Sequence, residues 1–343
     1  MVPRMPILSI VCPAYEEEEV LPLFHRQLCA VLEPLQARYQ VEIIYVDDGS
    51  RDRTLALLRE WSARDARVRY ISLSRNFGHQ AALTAGMEHA AGNVVITLDS
   101  DLQHPPALIP QLLASWEEGY EVVLTIRADD PRAGWFKRLT SKAFYRLINW
   151  LSDTEIRFAA ADFRLLSRRA VDSLLELRER HRFLRGMVQW LGFPTTEVPY
   201  QPAMRGAGVS KYTVRRMLNF ATDALLSFSR LPLRLGLGLG LLTVGLSLLY
   251  LGAATVRAIF RGTHGFGAVA VLASFYLLGG AILCVLGIIG EYVGRIYEQV
   301  KGRPLYIIKE QSADTAIVPT RTGLPESGWP QATPGHDDRT SAA

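Results

Sequence analysis

VVITLDSDLQHPP, residues 94–106, runs an apolar, β-branched stretch from Val94 to Leu98 straight into two aspartates, Asp99 and Asp101, with Gln103 two places further on. Like charges at that spacing repel unless a cation lies between them. The plain alternative is a strand ending in a polar turn, for which Asp, Ser and Pro are well suited. Position weighs against that alternative. The run reads as a buried parallel strand, and ligands of open α/β sheets gather at the carboxyl ends of such strands.

Four further runs share the pattern: ILSIVCP from Ile7, VEIIYVDD from Val41, VRYISLS from Val68 and EVVLTI from Glu121. Segments between them, such as 52–65 and 107–118, have helical composition. This is a βαβ series, which predicts an α/β domain with a parallel or mostly parallel sheet covered by helices on both faces. The first strand ends in CPAYEEEE, the second in VDDGSRDRT and the fourth in DSDLQHPP, so such a sheet brings three polar clusters to one edge. A cation held there by Asp101 and Gln103, with Asp99 as a further ligand, has oxygen donors. That suits Mg²⁺ or Mn²⁺ rather than Zn²⁺ and leaves positions open for phosphate oxygens. The expected ligand is a nucleoside diphosphate, with Asp48 accepting from a base or ribose and Tyr15 offering a ring face or a hydroxyl.

Composition narrows the class. The chain has 343 residues, 49% hydrophobic and 21% charged, with a formal charge of +4 and a pI near 9.0. It holds no long Lys/Arg run and no zinc-ligand spacing, so nucleic acid is not an expected partner. Cys12, Cys29 and Cys284 form no CxxC pair, which argues against a disulfide framework and for a reducing compartment. The apolar run near the N-terminus is too short for a signal sequence and blends into the first strand.

Two uncharged runs, Leu235 to Val256 and Ala268 to Gly290, are each about 33–35 Å long as helices, enough to cross a ~30 Å hydrocarbon core. The loop between them carries Arg257 and Arg261. Arg215, Arg216, Arg230 and Arg234 precede the hairpin, and Arg295, Lys301, Arg303 and Lys309 follow it. This bias predicts both ends in the cytoplasm and a two-helix hairpin in the bilayer of the inner membrane. The glycines of LGLGLGLL, 235–242, open a span and lack an acidic partner about 20 residues on, so they do not form a dinucleotide motif. Gly236 with Gly240, and Gly290 with Gly294, suit close helix packing and with it a homo-oligomer. Two amphipathic helices are expected, Lys137–Leu151 against the core and Val214–Phe228 at the membrane surface. The resulting division is a catalytic domain over 1–212, a juxtamembrane helix over 213–234, two transmembrane helices over 235–290, a cytoplasmic segment over 291–311 and a disordered tail over 312–343.

CPAYEEEE, VDDGSRD, SRNFGHQAAL, DSDLQHPP, ADFRLLSR, RFLRGMVQWLGF, RGAGVSKY and EYVGRIYEQVKGRPLY together resemble the family 2 glycosyltransferases of the GT-A fold, in the polyprenyl-phosphate hexosyltransferase branch. That branch includes the dolichyl-phosphate mannose synthases and the bactoprenol glucosyltransferases, and the resemblance runs from Ile7 to Ile308. It implies a Rossmann-like nucleotide-binding domain that transfers a hexose, with inversion, from a UDP- or GDP-sugar to undecaprenyl phosphate or a related polyprenyl phosphate. It also implies roles for particular residues. Pro13, Tyr15, Glu17, Val46 and Asp48 line the nucleotide pocket. Asp99 and Asp101 are the DxD pair, with Ser100 between them among the substrate contacts and Gln103 completing the metal site. Arg127, Arg205 and Lys211 hold the diphosphate or the acceptor phosphate, and Lys137 and Ser141 contact the acceptor phosphate.

Asp162 matches an aspartate proposed as catalytic base, although Ala161 precedes it where related proteins carry glycine, which would matter if the backbone there needs φ > 0. A lipid phosphate is already anionic at pH 7, so Asp162 can instead serve as an orienting group. His79, His104 and His181 are expected to be structural or exposed, with His104 at most behind the DxD pair. Trp190 and Phe193 either line a lipid path or simply pack. Two other functions fit parts of the pattern. A processive polysaccharide synthase would carry more spans and a QxxRW motif, which is not found; a non-enzymatic nucleotide-sugar sensor or scaffold would not need Asp99, Asp101 and Gln103 together.

Overall fold

The computed structural model describes residues 5–127, 160–201 and 266–313, with scattered positions between 236 and 260. The expected helices at Lys137–Leu151 and Val214–Phe228, the part of the expected tail beyond residue 313, and Lys137, Ser141, Arg205 and Lys211 lie outside the described residues; Ser312, the first residue of that expected tail, is bonded to Tyr70, its backbone N–H donating to the Tyr70 carbonyl at 3.0 Å. The elements are β1 (Ile7–Ala14), α1 (Leu21–Leu32), β2 (Gln40–Asp47), α2 (Thr54–Arg64), β3 (Val68–Leu73), α3 (His79–His89), β4 (Val94–Thr97), α4 (Ile109–Glu117) and β5 (Val122–Arg127). They continue with β6 (Ala160–Ser167), α5 (Arg168–Glu176), α6 (Leu184–Trp190), β7 (Thr195–Tyr200), α7 (Phe266–Val300) and β8 (Ile308–Gln311).

The strands form one sheet in the order β7-β5-β6-β4-β1-β2-β3-β8. β1 pairs in parallel with β2 and β4, β2 with β3, and β5 with β7, whereas β6 runs antiparallel to β4 and β5, and β8 antiparallel to β3. The two-residue period of the central strands sorts side chains into two cores. Leu8, Ile10 and Cys12 of β1 and Ile43 and Tyr45 of β2 face one core with Phe24, Leu28 and Leu112 of α1 and α4. Val11, Ile44 and Val46 face the other, with Leu83 and Met87 of α3, Val171 and Leu174 of α5, and Met187 of α6. The layers therefore stack α/β/α. α3 lies close to the sheet because it offers Ala82, Ala85 and Gly86 there; a Cβ at Gly86 would stand 2.2 Å from Val11 Cγ1. α5 begins on a sequence-encoded cap, the Ser167 hydroxyl accepting the Ala170 backbone N–H at 3.1 Å.

Among the described residues one helix, α7, is long and apolar enough to cross a membrane. The described positions between 236 and 260 are helical but form no continuous span of that length. α7 continues past Gly290 through Glu291, Arg295 and Glu298. The chain then returns to the sheet: β8 closes the edge of β3, and Arg59 grips the Glu310 carboxylate with two hydrogen bonds of 2.8 and 2.7 Å. Gly236 packs on Val285 of α7, where an added Cβ would sit at 3.4 Å, while a Cβ at Gly240, Gly290 or Gly294 would meet no described residue within 4 Å.

Candidate active site

The carboxyl ends of β1, β2 and β4 do meet at one edge, and side chains stitch their loops together. The backbone N–H groups of Glu16 and Glu17 donate to Ser50 Oγ and Thr54 Oγ1, both at 3.0 Å. Ser100 Oγ donates to the Pro13 carbonyl at 2.7 Å and is 3% exposed, so its hydroxyl is committed to joining β1 and β4. Two non-glycine residues in these loops, Glu16 and Leu102, hold positive φ of 53° and 63°. For a leucine that conformation is costly, and such outliers cluster at functional sites. Ala161 is not among the positive-φ residues, so the replacement of glycine before Asp162 places no strain on the strand.

Gly49, with φ of 73°, lets the β2 loop touch the loop before α3; a Cβ there would lie 2.4 Å from the Arg75 carbonyl carbon. That second loop joins two sequence-predicted residues. Asp48, 4% exposed, accepts the backbone N–H groups of Phe77 and Gly78 at 2.7 and 3.0 Å. Its carboxyl is pushed up by burial, with those two N–H groups acting in the other direction. One residue on, His79 Nε2 meets Asp99 Oδ1 at 2.7 Å. Partial desolvation of the ring, which is still 41% exposed, would lower the His79 pKa, but the Asp99 carboxylate, backed by Asp162, raises it to about 9. Burial likewise pushes Asp99 up and is overcome by the His79 charge, leaving Asp99 below the usual carboxylate range. The other oxygen of Asp99 is 3.5 Å from His104 Nδ1. His104 is 4% exposed and lies beside the rings of Phe163 and Tyr200; burial holds its pKa down despite the Asp99 charge.

Asp162 arrives from the antiparallel strand. The register pairs Thr97 with Arg164, and continuing it by two residues brings Asp162 alongside Asp99. Its carbonyl accepts the Thr97 hydroxyl at 2.6 Å. Both carboxylate oxygens are held: Oδ1 by Arg164 and by Arg185 Nε at 3.2 Å, Oδ2 by Arg185 at 2.7 Å. Although burial opposes it, the two guanidinium groups drive the Asp162 pKa far below the usual carboxylate range.

Asp101 makes a separate group. Its oxygens accept the Gln103 backbone N–H at 3.0 Å and the Gln103 side-chain amide at 2.5 Å, while Gln103 Oε1 accepts from Arg127 at 2.9 Å. Arg127 also reaches the Tyr200 hydroxyl at 3.4 Å. The DxD pair is thus divided, Asp99 turned to His79 and Asp101 to Gln103. Among the described residues no group of three or more His, Cys, Asp or Glu is poised around a metal. The half-buried Asp101 and Gln103 still fit a Mg²⁺ or Mn²⁺ that takes one or two protein oxygens and completes its shell with phosphate and water.

Of the other sequence-predicted residues, Tyr15 is 37% exposed at the site edge, while Pro13 is buried and Val46 is fully buried against α3, beneath the site rather than on its surface. Glu17 is half-buried in the β1 loop. His79, expected to be structural or exposed, is 41% exposed and also meets Asp99, and Arg164 and Arg185 join the same group. Arg164 was legible as the same-face neighbour of Asp162 on a strand. Arg185 carried no such signal, because α6 brings it in from 23 residues away. His181 lies apart, on Glu298 of α7 at 2.9 Å, and Trp190 is 60% exposed.

Residues 9–175 match the family described as glycosyl transferase family 2. An uncharacterized glycosyltransferase of Bacillus subtilis (strain 168) is 41% identical over 302 residues, covering 88% of this chain and 93% of that protein. The SfII prophage-derived bactoprenol glucosyl transferase of Shigella flexneri is 39% identical over 303 residues, covering 88% of this chain and 97% of its own. Among solved structures, glucosyl-3-phosphoglycerate synthase from Mycobacterium tuberculosis aligns with 64% of this chain and 78% of its own at 20% identity and a TM-score of 0.44.

Proposed function

The chain belongs to glycosyl transferase family 2, and from that premise we propose that it moves a hexose from a nucleotide sugar to a polyprenyl phosphate, with inversion, on the cytoplasmic face of the inner membrane. The observation that carries this reading is the 39% identity with a bactoprenol glucosyl transferase along 97% of that protein, a likeness that continues well beyond residues 9–175. The second of two hairpin helices is α7, which anchors the catalytic domain beside the lipid acceptor.

In this reading Asp48 and Tyr15 receive the nucleoside, and Asp101 with Gln103 holds Mg²⁺ or Mn²⁺. The ion, when bound, neutralises charge developing on the leaving diphosphate. Arg127, bound to Gln103, adds a fixed positive charge on the same side. Arg205 and Lys211 serve the diphosphate or the acceptor phosphate, and Lys137 and Ser141 the acceptor. Asp162 acts by orientation: with one oxygen anchored by the buried Arg164, it holds the partly exposed Arg185 guanidinium in place for the anionic reactants. A carboxylate so acidic is a poor proton acceptor at pH 7, and an ionised lipid phosphate needs little deprotonation.

The test is to incubate membranes containing the protein with labelled UDP- and GDP-sugars and undecaprenyl phosphate. Label in a mild-acid-labile lipid is the expected result. Label in polymer would support a processive synthase, and no transfer from any donor would leave a binding protein.

A further inference from the structure

α7 carries no charged residue from Phe266 to Gly290, then Glu291, Arg295 and Glu298 in its last ten positions. The uncharged part is about 37 Å long, enough to cross a hydrocarbon core of about 30 Å. Tyr292 and Arg295 then stand about 3 and 8 Å beyond Gly290, within a headgroup layer about 5–8 Å deep.

At this level the catalytic domain is moored to the helix. Gln299 accepts the Arg180 backbone N–H at 2.8 Å and donates to the Arg178 carbonyl at 2.7 Å. His181 meets Glu298 at 2.9 Å, and the Arg180 guanidinium donates to the Arg303 carbonyl at 3.0 Å. These contacts border a cavity of about 220 Å³ whose lining includes Arg180, His181, Tyr292, Arg295 and Ile296, together with Glu179. The two segments that build it, 178–182 and 291–303, hold six cations (Arg178, Arg180, Arg182, Arg295, Lys301 and Arg303) against three carboxylates (Glu179, Glu291 and Glu298). Glu298 pairs with His181 and Glu291 with Arg295 at 3.3 Å, the latter pair cancelling one cation as well as one carboxylate, so the two segments carry a net formal charge of +3. Asp99 and Asp162 are held by other side chains, His79, Arg164 and Arg185.

We propose that this cavity binds the phosphate of a membrane lipid between Arg180 and Arg295. The cation excess selects an anion. The height of the cavity, and the apolar wall given by Ile296 and the Tyr292 ring, select a phosphate that carries acyl or prenyl chains over a free ion. A surface belt of Arg and Tyr would also sit at this depth, but here the two arginines come from different chain segments and face one cavity. The inference rests on the reading of α7 as a membrane helix.

The experiment uses the full chain in mild detergent, loaded with equal phosphatidylglycerol and phosphatidylcholine and examined by native mass spectrometry. The wild type is expected to retain one phosphatidylglycerol at least tenfold above phosphatidylcholine. The double variant Arg180→Gln, Arg295→Gln is expected to lose that preference, and Arg180→Lys, Arg295→Lys to keep it, which separates lost charge from lost fold. Undecaprenyl phosphate that displaces the phospholipid would support the site and name its occupant. Equal retention by the wild type and the Gln variant would overturn it, as would displacement by millimolar inorganic phosphate. Alkaline extraction of membranes tests the premise separately: release of the protein would refute the membrane helix whatever the lipid retention shows.

Discussion

Replacing Asp162 by Asn should cost the protein stability before it costs chemistry. The side chains of Asp162 and Arg164 are 7% and 3% exposed, and that of Arg185 is 24% exposed. At the 2.7 Å separation from Arg185, an effective dielectric near 20 gives a gross attraction of about 6 kcal/mol, from which desolvation must be subtracted. Removing one partner of such a buried pair leaves a stranded charge and costs about 3–5 kcal/mol. For a domain of this size that is a fall in Tm of about 6–20 °C. Because the folded-state pKa of Asp162 is depressed, its contribution is complete above the unfolded value of about 3.9 and is lost as pH falls below it. The wild type should therefore lose stability in acid more steeply than the variant. Pairing Asp162→Asn with Arg164→Met should restore part of the loss, since a buried ion pair replaced whole is often nearly neutral.

The same variant, assayed by label transfer below its lowered Tm, should show kcat reduced by roughly 10²-fold through misplacement of Arg185. The defect should be flat between pH 7 and 9, and nucleotide affinity should not change, because Asp48 is held independently by Phe77 and Gly78. An unaltered Tm would refute the buried-pair argument, and a defect that shrinks steadily with rising pH would restore Asp162 as the base.

Asp101→Asn should abolish transfer and EDTA should mimic it; full activity in metal-free buffer would remove the metal from the reading. Gly49→Ala combines positive φ with a Cβ 2.4 Å from backbone carbon, so a loss of about 1–3 kcal/mol or more is expected in chemical denaturation, and a neutral result would mean the two loops do not touch. A reporter fused after Lys309 should report cytoplasm and one inserted near Gly265 the periplasm, the reverse at either point being incompatible with the hairpin. Arg59→Ala should leave the denaturation midpoint almost unchanged because the Glu310 pair is exposed, whereas truncation after Gly302 removes β8, bares the edge of β3 and should drive self-association visible by gel filtration.

The first five strands could be read from the sequence because each is an apolar run buried on both faces, the one pattern that survives without tertiary context. The last three could not. β6 places Asp162 and Arg164 inside a strand, where their charges are tolerable only because they pair with each other and with Arg185. β7 carries Pro199 and an exposed face, as an edge strand can. β8 is four residues, IKEQ, alternately half-buried and exposed, and it is recognisable only once β3 offers an edge. Six of the eight strands do share a direction, but the insertion of β6 between β4 and β5 is what carries Asp162 to the site, and a βαβ reading does not contain it.

That insertion also answers why two aspartates close the β4 run. Carboxylates this close need a cation between them, and the spacing of Asp99, Asp101 and Gln103 predicts one metal for both. In the folded chain the requirement is met twice, by different means. Asp99 lies with Asp162 in a crowded acidic region, and their neutralising charges are the chain's own: His79 on the first, Arg164 and Arg185 on the second. Asp101 turns away to Gln103 and, among the described residues, meets no cationic side chain, since Arg127 reaches Gln103 rather than the carboxylate. The electrostatic debt that remains at the strand end is therefore that of Asp101. This makes it the carboxylate best placed to take an added metal ion, and it predicts an asymmetry. Asp101→Asn should weaken Mn²⁺ binding, measured by calorimetry in the presence of nucleoside diphosphate, much more than Asp99→Asn does. Asp99→Asn should instead free His79, whose imidazole should then titrate well below 9. Equal loss of Mn²⁺ affinity in both variants would mean that His79 gives way and the two aspartates share the ion after all.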